Sequence, residues 1–262
     1  MRKQIFAGID VGASHTKVLL IDSNNQIMGR HVARSGTDFT ANAEQCLELA
    51  LQQADARLED IAGAIATGYG RKNVAVAGDT KTEISCHARG CFHYFPMALT
   101  IIDIGGQDNK IIKLDDQGRR FDFKMNRKCA AGTGAFLEEM SLRLDIPLEE
   151  MNGLAQNSRE NVELGSYCTV FSGTEVLEKI RMGTKVPDIV KGLFSSVIKR
   201  IMEMDTLTGQ VAMTGGVVAH NPYLVKMIEE RLGRSVLVPD HPQFSGALGA
   251  ALFALGEKKG KE

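Results

Sequence analysis

Residues 10–17 read Asp-Val-Gly-Ala-Ser-His-Thr-Lys, and residues 103–110 read Asp-Ile-Gly-Gly-Gln-Asp-Asn-Lys. Each stretch lies between two apolar runs, so each is predicted to be the turn of a β-hairpin. The stretches are in register, since four pairs of identical residues are separated by the same 93 positions: Asp10 and Asp103, Gly12 and Gly105, Lys17 and Lys110, Asp22 and Asp115. This repeat indicates two related α/β halves around a cleft, at residues 1–98 and 99–262, with a C-terminal helix able to pack back on the first half.

The composition is that of an ordinary globular protein. The 262 residues include 31 Lys and Arg and 32 Asp and Glu, for a net charge of −1, and 44% are hydrophobic. Disorder is excluded, and the charge balance argues against a nucleic-acid binder held by phosphate contacts. No apolar run reaches the roughly 18 to 20 residues of a membrane span, and no secretory segment is recognisable. We therefore expect a cytoplasmic protein without a nucleic-acid or membrane partner.

The apolar periodicity predicts further elements along the chain. Strands are expected at residues 62–66, 121–125, 210–213 and 235–238, and helices at 41–56, 148–156, 188–204, 222–232 and 245–255. Two more helices are expected immediately after Cys129 and at residues 168–182.

A third glycine-rich turn, Thr214 to Val218, follows the strand at 210–213. Glycine lets backbone N–H groups approach an anion, hydroxyl and Lys side chains add donors, and an Asp at a strand end can hold hydrated Mg²⁺. The three turns together predict a nucleotide-phosphate site. A single turn of this kind is more often plain hairpin or packing chemistry, and the P-loop and Rossmann fingerprints are absent from the sequence.

The five cysteines fall into two groups. Cys46 lies on the apolar side of a predicted helix, and Cys86 and Cys91 lack a second pair that would complete a zinc site. Cys129 and Cys168 each precede a predicted helix, where N–H groups can stabilise a thiolate or an anionic cluster. Spacing alone leaves two interpretations of this pair: structural thiols, or half of a four-cysteine 4Fe-4S site shared across a two-fold dimer.

The order of the three turns resembles the phosphate 1, phosphate 2 and adenosine motifs of the actin, sugar-kinase and heat-shock ATPase superfamily. More specifically, the sequence is similar to the activator ATPases of 2-hydroxyacyl-CoA dehydratases and the ATPase subunits of benzoyl-CoA reductases. The resemblance runs from Gly8 to Leu255 and is carried by residues 103–108, 126–137, 168–171 and 213–217. It implies two duplicated ribonuclease-H-like halves.

The resemblance also implies roles for individual residues. Asp10 and Asp103 would face the metal and the attacking water, and Gln107 would position that water. Contacts to ATP or ADP would come from Gly12, Ala13, Ser14, His15, Thr16, Lys17, Gly105, Gly106, Gly132, Thr133, Gly134, Gly215 and Gly216. Cys129 and Cys168 would bind the shared 4Fe-4S cluster.

The implied function is ATP-dependent electron transfer with Mg²⁺. A homodimer, or a pseudo-symmetric heterodimer, would take an electron from reduced ferredoxin or flavodoxin and pass it to an iron–sulfur dehydratase or reductase. Two departures from the family pattern stand out: Ser172-Gly173-Thr174-Glu175 replaces an Ala-Glu-Ser-Glu run, and Val218-Ala219-His220-Asn221 is unusual after the double glycine. A small-molecule kinase and a non-catalytic nucleotide sensor remain alternatives, and the acceptor enzyme is not specified.

Overall fold

The computed structural model describes residues 4–165 and 168–259. Within this part, the chain forms two compact units. Of the described residues, the first takes 4–99, 113–122 and 244–259, and the second takes 100–112, 123–165 and 168–243. Each unit contains a β-sheet covered by helices, which makes the fold mixed α/β, as the repeat predicts.

The first sheet has the strand order β3-β2-β1-β4-β5. Its strands are β1 (Ile5–Val11), β2 (His15–Ile21), β3 (Ile27–Arg34), β4 (Ile61–Thr67) and β5 (Asp79–Thr80). β1 is antiparallel to β2, with Asp10 opposite Lys17, and parallel to β4, with Asp10 opposite Thr67. Every residue of β1 is buried, as expected for a central strand covered on both faces.

Helices cover both faces of the first sheet. α1 (Phe39–Gln53) supplies Cys46, Leu47 and Ala50 to the core on one face. α9 (Ser245–Lys259) supplies Ala247, Leu248 and other small side chains on the opposite face. α2 (Glu83–Tyr94) packs against α9. The final helix therefore belongs to the unit formed by the N-terminal residues.

The second sheet has the equivalent order β8-β7-β6-β9. Its strands are β6 (Leu99–Ile104), β7 (Asn109–Leu114), β8 (Arg120–Asn126) and β9 (Val211–Thr214). β6 is parallel to β9 with Asp103 opposite Thr214, which repeats the pairing of Asp10 with Thr67. The helices of this half are α3 (Gly134–Leu144), α4 (Met151–Gln156), α5 (Thr169–Arg181), α6 (Val186–Met204), α7 (Gly216–His220) and α8 (Pro222–Leu232). They build a separate hydrophobic core around Phe194 and Leu193 of α6.

Two expectations of local structure are wrong. Residues 235–238 do not form a strand, because only Leu237 pairs, with Ala212. Pro239 follows directly, lacks an N–H and restricts its predecessor, so pairing cannot extend. The helix expected immediately after Cys129 begins only at Gly134, because a tight turn, closed by Thr133 N–H to Ala130 O at 3.0 Å, intervenes. No helix among the described residues combines the length and hydropathy that a membrane span requires.

Candidate functional site: two equivalent hairpins and a cysteine loop

The first hairpin presents a buried carboxylate beside an ammonium group. Asp10 is 4% exposed near the end of β1. Its Oδ2 accepts a hydrogen bond from Lys17 Nζ at 3.2 Å, and Gly12 N–H donates to His15 O at 3.1 Å to close the turn. At the tip Ala13 is exposed, and Ser14 and His15 are partly exposed. The tip can therefore offer its backbone and the Ser14 hydroxyl to a ligand.

Thr16 differs from its neighbours, because it is fully buried. Its Oγ1 lies 2.9 Å from Ser35 Oγ, which in turn donates to Gly12 O at 2.6 Å. The hydroxyl of Thr16 thus holds the hairpin against Ser35, the residue that follows β3. Within this hairpin, Ser14 and Lys17 are better placed than Thr16 to meet a phosphate.

The second hairpin repeats this arrangement. Asp103 is 2% exposed, and its Oδ2 accepts from Lys110 Nζ at 3.2 Å. Lys110 Nζ also donates to Asp108 Oδ1 at 2.8 Å, while Gly105 N–H donates to Asp108 O at 2.9 Å. Gln107 is exposed at the tip. The register predicted from sequence therefore places an aspartate, a glycine and a lysine equivalently in both halves.

The third glycine turn meets the second hairpin directly. Thr214 is fully buried at the end of β9, and its Oγ1 donates to Asp103 Oδ1 at 3.0 Å. Gly215 has a φ of +102°, and a Cβ there would lie 2.3 Å from Ile104 O. The glycine is required by both its conformation and this close approach. Gly216 begins α7 beside the Gln243 side chain, and His220, at the end of α7, is exposed.

The first half contains a counterpart of this turn that sequence reasoning missed. Thr67 ends β4 and Gly68 follows it, as Thr214 ends β9 and Gly215 follows it, and Gly68 also has a positive φ, +91°. A Cβ on Gly68 would lie 2.6 Å from Asp10 Oδ1. The Thr-Gly pair after the predicted strand is visible in the sequence. Its position beside Asp10 cannot be inferred from that pair alone, because it depends on the parallel pairing of β4 with β1.

Two further groups surround Asp10 within the first unit. A Cβ on Gly246, at the start of α9, would lie 3.0 Å from His87 Nε2 and 3.4 Å from Asp10 Oδ2. His87, on α2, is 6% exposed. Burial raises the pKa of the neighbouring Cys86 thiol to about 12; the Thr67 hydroxyl lowers it somewhat, and the negative charge of Asp10 raises it again. Cys86 is therefore a protonated, unreactive thiol at neutral pH.

The cysteine loop, residues 129–133, is hydrogen-bonded to the second hairpin. Gly134 N–H donates to Gly105 O at 2.9 Å, and Ala135 N–H donates to Gly106 O at 2.7 Å, so the first turn of α3 rests on the hairpin carbonyls. The Asn109 side chain donates to Gly132 O at 2.7 Å. The structure thus brings the expected residues Gly105, Gly106, Gly132, Thr133 and Gly134 into one hydrogen-bonded region.

Cys129 and Cys168 are both partly exposed. Cys129 O accepts from the Asn126 amide at 3.2 Å, and Cys168 directly precedes α5, its carbonyl accepting from Ser172 N–H at 2.8 Å. Within residues 4–165 and 168–259, no group of three or more His, Cys, Asp or Glu side chains is arranged to hold a metal ion. One chain thus offers these two thiols and no larger ligand set in the described part.

The face of α5 turned away from the core exposes several large apolar side chains, and it is called the apolar face below. Its exposed large apolar side chains, together with that of Met182 just beyond the helix, are Val170 (65%), Phe171 (68%), Leu177 (52%), Ile180 (42%) and Met182 (69%). Thr174, Glu178 and Arg181 are also exposed on this helix. On the packed face, a Cβ at Gly173 would lie 2.6 Å from the guanidinium carbon of Arg143. The glycine that departs from the family pattern therefore makes room for an arginine of α3.

The chain is similar to known proteins of one family along nearly its whole length. Residues 7–254 match the model of the BadF/BadG/BcrA/BcrD ATPase family. The chain is 40% identical to the 2-hydroxyisocaproyl-CoA dehydratase activator of Clostridioides difficile, covering 96% of this chain and 95% of that protein. It is 41% identical to the activator of lactoyl-CoA dehydratase of Anaerotignum propionicum, covering 94% of this chain and 96% of that protein.

Solved structures give the same result. Component A of (R)-2-hydroxyglutaryl-CoA dehydratase from Acidaminococcus fermentans superposes with a TM-score of 0.92 at 36% identity, covering 97% of this chain and 99% of that chain. The 2-hydroxyisocaproyl-CoA dehydratase activator from Clostridium difficile with bound ADPNP gives 0.93 at 38% identity, covering 98% and 96%. A ROK family glucokinase from Streptomyces griseus, at 12% identity, a TM-score of 0.57 and coverage of 95% and 98%, shares the fold alone. The predicted actin-like ATPase fold is confirmed.

Proposed function

Because the chain belongs to the BadF/BadG/BcrA/BcrD ATPase family, we propose that it hydrolyses ATP to drive low-potential electron transfer into a 2-hydroxyacyl-CoA dehydratase or a benzoyl-CoA reductase type of partner. The names of its relatives support an activator of such dehydratases. The proposed coupling of ATP hydrolysis to electron transfer is supported by two hydrogen bonds, from the N–H groups of Gly134 and Ala135 to the carbonyls of Gly105 and Gly106. They join a candidate phosphate loop to the loop that contains Cys129.

The two hairpins supply the nucleotide chemistry in this proposal. Asp10 and Asp103 are buried carboxylates, and each accepts a hydrogen bond from a lysine that limits its rotation. These two residues would hold hydrated Mg²⁺, which would supply positive charge beside the phosphates. Lys17 and Lys110 provide positive charge beside the phosphates. The backbone amides at the hairpin tips and Gly215-Gly216 contact the rest of the nucleotide, and exposed Gln107 is available to orient the attacking water.

Cys129 and Cys168 fit a shared iron–sulfur cluster by their chemistry. A [4Fe–4S] cluster needs four thiolate ligands, and two chains with two partly exposed cysteines each supply that number. When bound, the cluster would supply one-electron chemistry at low potential. The chain's contribution is to hold the Cys129 backbone through Asn126 and to present Cys168 directly before α5.

A two-fold homodimer also explains the apolar face of α5. Exposed apolar patches of this kind mark contact surfaces in soluble proteins. This face begins two residues after Cys168, so a second copy packed on it would bring the cysteines of both chains close together. The partner copy would complete the ligand set that one chain lacks, and reduced ferredoxin or flavodoxin would deliver the electron.

The proposal is tested by measuring iron and ATP hydrolysis on one anaerobically purified sample. We expect roughly four iron atoms per dimer, as one [4Fe–4S] cluster requires, and free phosphate as a product. Cys129→Ala should remove most of the iron while leaving ATP binding in place. Cys46→Ala, which changes a buried cysteine of α1, is the matched control and should keep its iron.

The same measurements separate the alternatives. A small-molecule kinase would transfer phosphate to an acceptor and would not need either cysteine, and a nucleotide sensor would bind ATP with negligible turnover. Full iron content in Cys129→Ala would refute the cluster assignment.

A further inference from the structure

Asn109 links the second hairpin to the cysteine loop through its side chain. It lies at the start of β7, between Asp108 and Lys110, and is 1% exposed. Its Nδ2 donates to Gly132 O at 2.7 Å across a sequence separation of 23 residues. Gly132 is three residues after Cys129, so one amide connects the lysine-aspartate pair with the segment that holds a proposed cluster ligand.

The orientation of this amide is fixed, because Gly132 O can only accept a hydrogen bond and therefore must face Nδ2. Oδ1 then points away from the loop. Among the described residues, Asn109 Oδ1 has no hydrogen-bond partner although it is buried. A buried acceptor without a donor is unfavourable, so this position calls for a specific explanation. The amide can gain a partner at Oδ1 without losing Gly132.

The first half of the chain serves as an internal comparison. The residue 93 positions before Asn109 is Thr16, whose hydroxyl pairs with Ser35 to hold its own hairpin. The first half has no cysteine loop for it to contact. At the equivalent position, the second half thus carries a longer side chain that reaches out of the hairpin. This difference indicates a specialised role rather than a general requirement of the hairpin fold.

We propose that Asn109 is a positioning residue that transmits the state of the second hairpin to the cysteine loop. The inference rests on the proposed function and deepens it by naming the side chain that couples the two loops. When a nucleotide shifts the hairpin, the amide carries the displacement to Gly132 and hence to the 129–133 loop. The backbone hydrogen bonds of Gly134 and Ala135 anchor α3, whereas Asn109 acts on the loop itself.

The test is amide hydrogen exchange on the full chain, purified anaerobically, with and without a non-hydrolysable ATP analogue. In the unmodified protein we expect the analogue to slow exchange in residues 129–135 by about fivefold or more, the low end of typical coupling between sites. Asn109→Asp is isosteric but replaces the donor with an oxygen that cannot bond to Gly132 O. In this variant the analogue should change the exchange by less than about twofold, while still binding.

Asn126→Asp is the matched control. It removes a similar amide-to-carbonyl bond, to Cys129 O, but from the end of β8 rather than from the hairpin. It should raise the basal exchange of the loop and keep the response to the analogue. If Asn109→Asp failed to fold, Asn109→Thr, which installs the first-half residue, would replace it.

Three results would overturn the inference: no response in the unmodified protein, an undiminished response in the Asn109 variant, or an equal loss in the Asn126 control. Iron is measured on the same samples. An iron-free protein would defeat the proposed function, whereas the exchange data would still decide the role of Asn109.

Discussion

Asp188, at the start of α6, shows how one buried carboxylate can anchor a segment without belonging to the site. Its Oδ1 accepts hydrogen bonds from the backbone N–H groups of Glu160 and Arg159 and from the Ser158 hydroxyl, at 2.8 to 2.9 Å. These bonds, led by that from Glu160, hold the pKa of Asp188 below its ordinary value of 3.8, although burial acts in the opposite direction. The carboxylate form is therefore favoured by the fold.

This shift predicts a pH-dependent stability. A carboxyl group whose pKa is lowered by folding stabilises the native state above its unfolded pKa, and this stabilisation is lost as the pH falls through the lower folded value. Asp188→Asn should therefore reduce the free energy of unfolding at neutral pH. The difference from the unmodified protein should shrink below pH 3.8. Urea unfolding across that range measures it, and a difference that stays constant with pH would contradict the assignment.

At the residue scale, sequence reasoning succeeds where a residue acts through its near neighbours in the chain. Asp10 and Lys17 face each other across one hairpin, and the same holds for Asp103 and Lys110, so the local pattern is enough. Thr214 reaches Asp103 across a separation of 111 residues. That contact, like the one between Gly68 and Asp10, depends on parallel strand pairing, which no local pattern specifies.

At the scale of elements, the close crossing of α2 and α9 depends on a residue without a side chain. A Cβ on Gly249 would lie 1.8 Å from Cys86 O, a main-chain atom that cannot turn aside. The two helices can approach this closely only because position 249 carries no side chain. The helix pattern of residues 245–255 is easily read from sequence, but the reason for its glycines lies in this partner.

Gly249→Ala should therefore destabilise the protein by about 1–3 kcal/mol or more, the usual cost of overpacking. Gly256→Ala is the matched control in the same helix, because a Cβ there would meet nothing within 4 Å. It should stabilise the protein by roughly 0.5–1 kcal/mol through helix propensity. Thermal unfolding of both variants checks the pair, and an equal effect of the two would exclude the close crossing.

Element boundaries were predictable where apolar periodicity is strong, as for α6 and α8. α2 was missed, because its buried face is made of cysteine, histidine and small residues, which give little apolar periodicity. The late start of α3 was also missed, because the turn that delays it is held by hydrogen bonds from Asn109 and Asn126, which belong to other elements. Tertiary contacts, rather than propensity, decide these boundaries.

At the scale of the whole molecule, the apolar face of α5 makes the oligomeric state testable. Phe171 is 68% exposed, and the proposed dimer buries it. Phe171→Asp should convert the dimer to a monomer, because a charge at an apolar interface cannot be solvated there. Leu58→Asp, at a side chain 59% exposed in the first unit, is the control and should remain dimeric. Sedimentation velocity distinguishes the two, and a dimer that survives Phe171→Asp would place the interface elsewhere.

The two-sheet architecture was predictable because the sequence contains identical residues at a constant separation of 93 positions. The two sheets have equivalent strand orders, which agrees with that repeat. The repeat does not reveal where the chain leaves one unit and enters the other. Residues 113–122 cluster with the first unit although they follow the second hairpin. Such an assignment depends on the packing of residues distant in sequence.

The membership of α9 in the first unit also sets an order of events during synthesis. One face of the first sheet, with Phe6, Leu19 and Ile65, is buried by residues of this last helix. While the ribosome is still translating the second unit, those side chains have no α9 to cover them. This face of the first sheet therefore remains partly uncovered while about 140 more residues are translated. Exposed apolar surface of this kind makes a nascent chain vulnerable to aggregation and to capture by chaperones.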